Sequence, residues 1–133
     1  MKILMICKHN RFRSKVAEAL FNLRNKNKKN KVRSRATQPD YIPVAENVRK
    51  ALKVLGIKKI NRKPRKLMKK DISWADLIVV VADNISLDIP NKKIIKWKIP
   101  DTDQSNYKEI LKISKIIEKK VRNLIMLVKS NKF

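Results

Sequence analysis

Four short segments of strand character alternate with longer segments whose apolar residues recur at helical spacing. The strand segments are residues 2–7, 32–36, 76–81 and 92–96. The first and third are apolar throughout, which is typical of strands buried on both faces in a parallel sheet. Right-handed crossovers between such strands place helices on both faces. The sequence therefore predicts an α/β fold with a doubly wound, four-stranded parallel sheet.

Three segments carry the apolar stripe of an amphipathic helix. They are residues 13–24, 43–55 and 106–129. Pro43 suits the first position of its helix, and Gly56, the only glycine, is a natural stop. A short helical turn is also predicted at residues 65–69, and a short helix or turn at 84–88.

Cys7, Arg13 and Ser14 delimit a short loop between the first strand and the first helix. Backbone N–H groups of such a loop point into a bowl, and the guanidinium of Arg13 adds a planar fork of donors. This arrangement binds a tetrahedral oxyanion. At the lip of the bowl, Cys7 lies in a positive field that favours the thiolate and makes the sulfur a nucleophile.

Two aspartates are predicted to lie on the same rim as Cys7. Asp83 ends the third strand, and Asp101 follows the fourth strand by a few residues. In a doubly wound sheet the ligand site lies beyond the carboxyl ends of the strands. Convergence of these residues at one edge therefore predicts a site, although Asp83 has the simpler interpretation of capping a turn.

Length and composition predict a single domain, residues 1–133, with a substantial core. No apolar run approaches the roughly 20 residues that cross a bilayer. The N-terminal run is too short for a signal peptide, so a cytoplasmic protein without a membrane partner is expected. The single cysteine excludes an internal disulfide and a cysteine-cluster metal site. No metal or cofactor is predicted.

The formal charge of +24 has two interpretations. It either recruits anionic partners such as nucleic acid or acidic phosphoproteins, or reflects a lysine-rich composition. The second is favoured, because Lys and Arg recur in every segment and no aromatic residues interleave with them as stacking platforms. No specific nucleic-acid partner is expected, but weak, salt-dependent binding to polyanions is.

The chain resembles the low-molecular-weight protein tyrosine phosphatase family, which shares its fold with the thioredoxin-coupled arsenate reductases. The strongest likeness is Cys7-x5-Arg13-Ser14 after a leading strand, and Asn10 also matches the family loop. Further likenesses follow in family order at residues 32–37, 43–57, 75–80 and 97–102. Because the resemblance spans nearly the whole chain, it implies the phosphotyrosine phosphatase I-like fold.

The resemblance implies phosphoryl transfer through a covalent intermediate. Cys7 would attack phosphorus and form a cysteinyl-phosphate, while Arg13 holds two equatorial oxygens into the transition state. Ser14 can donate its hydroxyl to the sulfur. Asn10 is expected to hold the shape of the loop, since asparagine tolerates a left-handed backbone better than most residues.

A carboxylic acid must protonate the leaving phenolate and then activate water. By resemblance this acid is Asp101, which occupies the aspartate of the family's Asp-Pro element, with Thr102 in place of the proline. Asp103 is close enough in sequence to be the alternative.

Six loop residues are candidates for substrate binding: Asn10 and Ser14, which also have the roles given above, and Lys8, His9, Arg11 and Phe12. Lys8 and Arg11 either assist anion capture or belong to the general basicity of the chain. His9 replaces a small residue of the family loop and is expected to face the substrate entrance. Phe12 stands where many members carry a second cysteine, so no protective disulfide can form within the loop.

Four residues outside the loop bear on the edge of the site. Trp97, Tyr41 and Tyr107 either flank a cleft for an aromatic substrate or pack in the ordinary way. Arg35 replaces a small residue of the family's Ala-Gly turn after the second strand. A long basic side chain there is expected to crowd or charge the site.

Three functions remain open from the sequence. The leading one is a cysteine-dependent phosphatase acting on aryl phosphates, with a phosphorylated protein as partner and phosphate, sulfate or vanadate as site ligands. The second is an arsenate reductase that uses an external thiol, because the thioredoxin-coupled chemistry needs two further cysteines. The third is a non-catalytic module that holds phosphate in the same bowl.

Overall fold

A computed structural model describes residues 1–131 of the chain as an α/β fold with one parallel sheet. The strands are β1 (Lys2–Cys7), β2 (Lys31–Ala36), β3 (Leu77–Val80) and β4 (Lys93–Lys96). The helices are α1 (Arg13–Arg24), α2 (Glu46–Val54), α3 (Lys69–Trp74) and α4 (Tyr107–Ser130). The strand order is β2-β1-β3-β4, with every neighbouring pair parallel. The predicted four-stranded doubly wound sheet is confirmed.

The register brings the carboxyl ends of the strands to one edge. Cys7 pairs with Ala36 at the end of β2, and Ile6 pairs with Val80 at the end of β3. Val80 in turn pairs with Lys96 at the end of β4. The loops that follow all four strands therefore leave the sheet at nearly the same level, which is what places a site at this edge.

The first face of the sheet is covered by α1, α2 and α4. Ile3, Met5 and Val79 point into this core from the sheet. On the long helix α4 the buried residues recur at three- and four-residue spacing, as an amphipathic helix requires: Ile110, Ile113, Ile117, Val121 and Leu124. Asn106 caps this helix by accepting a hydrogen bond from the Glu109 N–H at 3.1 Å.

The second face is covered by the short helix α3 and by an extended segment. Leu4, Ile6 and Ile78 form its floor. Ile85, Leu87 and Ile89 pack on this floor; their two-residue spacing is that of an extended chain, so the expected short helix or turn at 84–88 is a bend followed by an extended segment.

Two predicted helix boundaries are wrong for reasons that lie in tertiary contacts. α2 begins at Glu46 rather than Pro43, because the N–H of Val44 donates to the carbonyl of Arg62 at 3.0 Å. The turn predicted at 65–69 is extended, because Ala36 pairs with Lys66 in a parallel bridge that prolongs β2. The helix in this region is α3, which starts at Lys69. In residues 1–131 no helix has the length and apolarity to cross a membrane.

Candidate active site

Cys7 lies at the carboxyl end of β1, and its side chain is almost fully buried at the base of the loop. Its Sγ lies 2.9 Å from the hydroxyl of Ser14, and it accepts a hydrogen bond from the backbone N–H of Asn10 at 3.3 Å. Donors aimed at a sulfur stabilise its anion, which is the nucleophilic form.

Asn10 holds the loop from inside. Its φ of 53° is the left-handed conformation expected from the sequence, and its side chain is fully buried. The side-chain amide donates to Ser14 Oγ at 2.7 Å and to Ser34 Oγ at 3.0 Å. Its oxygen accepts from the backbone N–H of Arg65 at 3.0 Å. Every polar atom of this side chain is therefore used to join the loop to β2 and to residue 65.

The direction of this hydrogen-bond network is set by two groups with fixed roles. The backbone N–H of Arg65 can only donate, so it defines which end of the Asn10 amide is the oxygen. Glu18 at the other end accepts from Ser34 Oγ at 3.0 Å. Because Asn10 donates to Ser14 Oγ, the Ser14 hydroxyl proton is available to Cys7 Sγ, which lies 2.9 Å away. When Cys7 is a thiolate it can only accept, and Ser14 is then the donor of this contact.

Arg13 begins α1, and its guanidinium is held from the far side of the cleft. It donates to the backbone carbonyl of Ile99 at 2.9 Å and to Asn84 Oδ1 at 3.1 Å. The carboxylates of Asp83 and Asp101 each lie 3.6 Å from its terminal nitrogens. A guanidinium has five N–H donors, so these two hydrogen bonds fix its plane and leave three for an oxyanion.

The two candidate acids differ in how their carboxyls are held. Asp101 accepts from the backbone N–H of Thr102 at 2.9 Å and faces Arg13. Asp103 accepts from both the hydroxyl and the N–H of Ser105, at 2.6 and 2.8 Å. The hydroxyl bond first, and the backbone bond second, hold the pKa of Asp103 below its ordinary value.

A cleft of about 340 Å³ joins the loop to the segment after β4. Its walls are Cys7, His9, Asn10, Arg11, Phe12, Arg13, Asp101, Thr102, Asp103 and Gln104. Within residues 1–131, two buried side-chain atoms have no hydrogen-bond partner, Arg11 Nε and Gln104 Oε1, and both residues line this cleft. An unpaired donor and an unpaired acceptor in one cleft are suited to a polar ligand.

Two of the candidate loop residues do not line this cleft. Lys8 lies outside it, where its carbonyl accepts from the N–H of Gln38 at 2.8 Å and continues the pairing of β1 with β2. Ser14 lies behind the sulfur of Cys7. His9 lines the cleft, and its Nδ1 lies 2.6 Å from the carbonyl of Gln38. Because a carbonyl only accepts, Nδ1 is the protonated nitrogen of this ring.

The aromatic residues considered for the cleft lie elsewhere. Trp97 and Tyr107 pack against the hydrophobic core, and Tyr41 is 60% exposed on a loop. Arg35 does not charge the edge of the site, because its Nε pairs with the buried carboxylate of Asp71 at 3.2 Å. Within residues 1–131, Phe12 is the only Phe, Tyr or Trp in the walls of the cleft, and the imidazole of His9 is the other ring there.

Three groups that hydrogen-bond to Arg13 or Asn10 were not predicted from the sequence. Asn84 directly follows Asp83 after β3, so its place at the carboxyl ends of the strands could have been predicted in the same way as that of Asp83. Ser34 is a small polar residue inside a short strand, which is a weaker signal of a buried hydrogen bond. The carbonyl of Ile99 carries no signal, because any residue at that position offers the same group.

The described part of the chain, residues 1–131, contains no cluster of three or more His, Cys, Asp or Glu residues able to hold a metal ion.

The family model described as Low molecular weight phosphotyrosine protein phosphatase matches residues 2–132. Comparison with curated proteins gives no match.

Solved structures of three kinds resemble the chain. Arsenate reductase from Archaeoglobus fulgidus is 29% identical, with a TM-score of 0.76 over 92% of this chain and 98% of that one. The low molecular weight protein tyrosine phosphatase from T. tengcongensis is 21% identical, with a TM-score of 0.83 over 95% and 98%. The YwlE arginine phosphatase from Geobacillus stearothermophilus is 19% identical, with a TM-score of 0.83 over 98% and 94%.

Proposed function

The chain belongs to the low molecular weight phosphotyrosine protein phosphatase family, and we propose that it hydrolyses phosphotyrosine in proteins through a cysteinyl-phosphate. The observation that carries this proposal is the meeting of Cys7, Arg13 and Asp101 at one cleft, from three separate elements. These are the nucleophile, the oxyanion clamp and the acid that such a reaction needs.

In the first step Cys7 attacks phosphorus, so that a sulfur–phosphorus bond forms and the ester oxygen–phosphorus bond breaks. The leaving phenolate takes the proton of Asp101. In the second step water attacks phosphorus, Asp101 receives a proton from it, and the sulfur leaves as a thiolate. Ser14, whose hydroxyl lies 2.9 Å from Cys7 Sγ, donates to the thiolate at the start and at the end.

Arg13 supports both steps through its fixed plane. Its contacts with Ile99 and Asn84 hold the guanidinium before any ligand arrives. A phosphoryl group with bidentate bonds to Arg13 would compete with Asp101, which lies 3.6 Å from the same side chain. The exchange would free the Asp101 carboxyl to face the leaving group.

Asp101 is preferred to Asp103 as the acid. Both line the cleft, but Asp103 is held by two hydrogen bonds from Ser105, which lower its pKa, whereas Asp101 lies 3.6 Å from the guanidinium that would hold the phosphoryl group. A general acid must hold a proton until the leaving group departs. Asp103 is therefore the weaker candidate, and its bonds to Ser105 suit it to shaping the loop.

A second candidate substrate is phosphoarginine in proteins. Within residues 1–131, Phe12 is the only Phe, Tyr or Trp in the walls of the cleft, and Gln104 Oε1 is a buried acceptor without a partner. A guanidinium leaving group offers N–H donors to such an acceptor, whereas a phenyl ring offers none. The likeness to arginine phosphatases makes this chemistry a natural alternative.

A cytoplasmic location is proposed because the proposed mechanism needs Cys7 reduced, and the cytosol keeps thiols reduced. Thioredoxin-coupled arsenate reduction is not proposed: it needs two further cysteines, and the 133 residues contain only Cys7.

The first experiment measures hydrolysis of para-nitrophenyl phosphate by the wild type and Cys7→Ser, with vanadate as inhibitor. We expect activity in the wild type alone, abolished by vanadate, and retained oxyanion binding in Cys7→Ser. Equal activity in both proteins would eliminate the thiol mechanism, and a folded but inactive wild type would eliminate the phosphatase.

The choice of substrate is tested with matched peptides that carry phosphotyrosine or phosphoarginine at the same position. Gln104→Leu removes the acceptor with little change in volume, so it should slow phosphoarginine hydrolysis and spare phosphotyrosine. If the wild type prefers phosphotyrosine and Gln104→Leu leaves the ratio unchanged, the second candidate is wrong.

A further inference from the structure

A second and larger groove, of about 740 Å³, lies beside the catalytic loop. It is formed by α1, by β2 and by the segment that follows α2, from Gly56 to Asn61, together with Arg65. No residue that lines it also lines the catalytic cleft. The proposed phosphatase chemistry gives this groove no role.

The groove concentrates positive charge. Its cationic walls are Lys15, Arg33, Arg35, Lys58, Lys59 and Arg65. One carboxylate, Glu18, lines it as well, and Asp71 behind it pairs with both Arg33 and Arg35 at 3.2 Å. Two negative charges against six positive ones leave the groove with four uncompensated cations.

Lys15 is the least solvated of these cations. Only 3% of the residue is exposed, and within residues 1–131 no carboxylate oxygen lies within 4.0 Å of its amine. Burial lowers its pKa, and Glu18 raises it in part while Arg65 and Arg35 lower it further. Lys15, Arg35 and Arg65 thus lie close together at one end of the groove. Three neighbouring cations bind a compact ligand with several negative charges, such as a polyphosphate, better than a peptide with evenly spaced carboxylates.

The remaining wall of the groove is aliphatic. Leu23 on α1, Val32 on β2, and Ile57 and Ile60 after α2 all line it. Apolar side chains beside a cluster of cations suit a ligand with phosphates at one end and, at the other, a flat ring whose faces pack on aliphatic side chains. The groove volume is also ample for a molecule of that kind.

We propose that this groove is a binding site for a nucleoside polyphosphate, separate from the catalytic cleft. The phosphates bind Lys15, Arg35 and Arg65, where guanidinium forks and a poorly solvated amine meet. The nucleoside lies against the aliphatic wall. Lys58 and Lys59 extend the positive surface elsewhere along the groove.

The groove is physically joined to the catalytic loop. Ser34 and the backbone of Arg65 hold Asn10, and Glu18 accepts from Ser34. Variants that test the groove must therefore leave Ser34 and the backbone unchanged. Arg65→Met satisfies this condition, because the Arg65 side chain is exposed and its backbone N–H is what binds Asn10.

The test is calorimetric titration of ATP without divalent cations into vanadate-saturated protein at 0.15 M salt. We expect saturable binding of one ATP per chain. Lys15→Met and Arg65→Met should each weaken it about tenfold, as loss of one charge-assisted contact of about 1.4 kcal/mol implies. Lys119→Met, an exposed lysine of α4 outside the groove, is the matched control and should stay within about twofold of the wild type.

Each contrary result decides against the proposal. Equal weakening by Lys119→Met and Arg65→Met, or binding without a fixed stoichiometry, would mean diffuse attraction by the net charge of +24. Inorganic tripolyphosphate that binds as tightly as ATP would overturn the nucleoside part, because it cannot use the aliphatic wall. If Lys15→Met does not fold, Arg65→Met against Lys119→Met still decides. Turnover is not part of this assay, so an inactive protein would leave its result intact.

Discussion

Replacement of Asn10 by alanine tests the link between loop geometry and stability. The change removes three hydrogen bonds, two of them buried (to Ser14 and Ser34) and one partly buried (from the Arg65 N–H). At about 1 kcal/mol each, these contribute about 3 kcal/mol. Alanine must also adopt a φ of 53° without the help of an asparagine side chain, which costs about 1 kcal/mol. We therefore expect Asn10→Ala to lower the free energy of unfolding by about 4 kcal/mol.

Asn91→Ala is the matched control for this prediction. Asn91 has nearly the same backbone, with a φ of 64°, but it is exposed in a turn. It should lose only the backbone contribution of about 1 kcal/mol. Urea unfolding of both variants gives the difference, and hydrolysis of para-nitrophenyl phosphate should fall at least about tenfold in Asn10→Ala alone. If the two variants are equally destabilised, the network does not hold the loop.

Three further outcomes are expected. Ser14→Ala should lower kcat with little change in KM, measured with para-nitrophenyl phosphate, because it removes the donor to the sulfur. Asp71→Asn should destabilise by about 3 kcal/mol in urea, since it leaves two arginines unpaired, whereas exposed Asp76→Asn should cost about 1 kcal/mol or less. Lys15→Met should raise the free energy of unfolding at pH 7, because burial penalises the charged amine of the wild type. Burial lowers the pKa of Lys15 in the folded protein below its ordinary 10.5, so the wild type regains stability as the pH rises towards that value. The difference in unfolding free energy between the variant and the wild type should therefore shrink with rising pH.

The sheet and the shape of the loop from Cys7 to Ser14 could be predicted from the sequence because both follow from local patterns. A strand that is buried on both faces is apolar, and β3 and all of β1 except its first residue, Lys2, have that composition. The left-handed backbone of Asn10 follows from its residue type, which tolerates that conformation. The convergence of Asp83 and Asp101 on Arg13 follows from topology, since the ends of parallel strands meet at one edge.

The features that the sequence did not predict depend on partners distant in the chain. Pro43 does not begin α2, because Val44 is already bonded to Arg62. Arg35 turns away from the site because Asp71, at the start of α3, offers a buried carboxylate. Local propensity contains no information about either contact, because each is fixed only when two distant segments have packed.

The distribution of charge explains how so basic a chain can keep a selective cleft. Of its 11 carboxylates, Asp83, Asp101 and Asp103 lie around Arg13 or in the cleft. The cleft walls carry two arginines and two carboxylates, so they are formally neutral, while the groove beside β2 keeps four uncompensated cations. Polyanions attracted by the net charge should therefore collect outside the cleft, and a phosphoryl group enters it by displacing Asp101 from Arg13 rather than by charge alone.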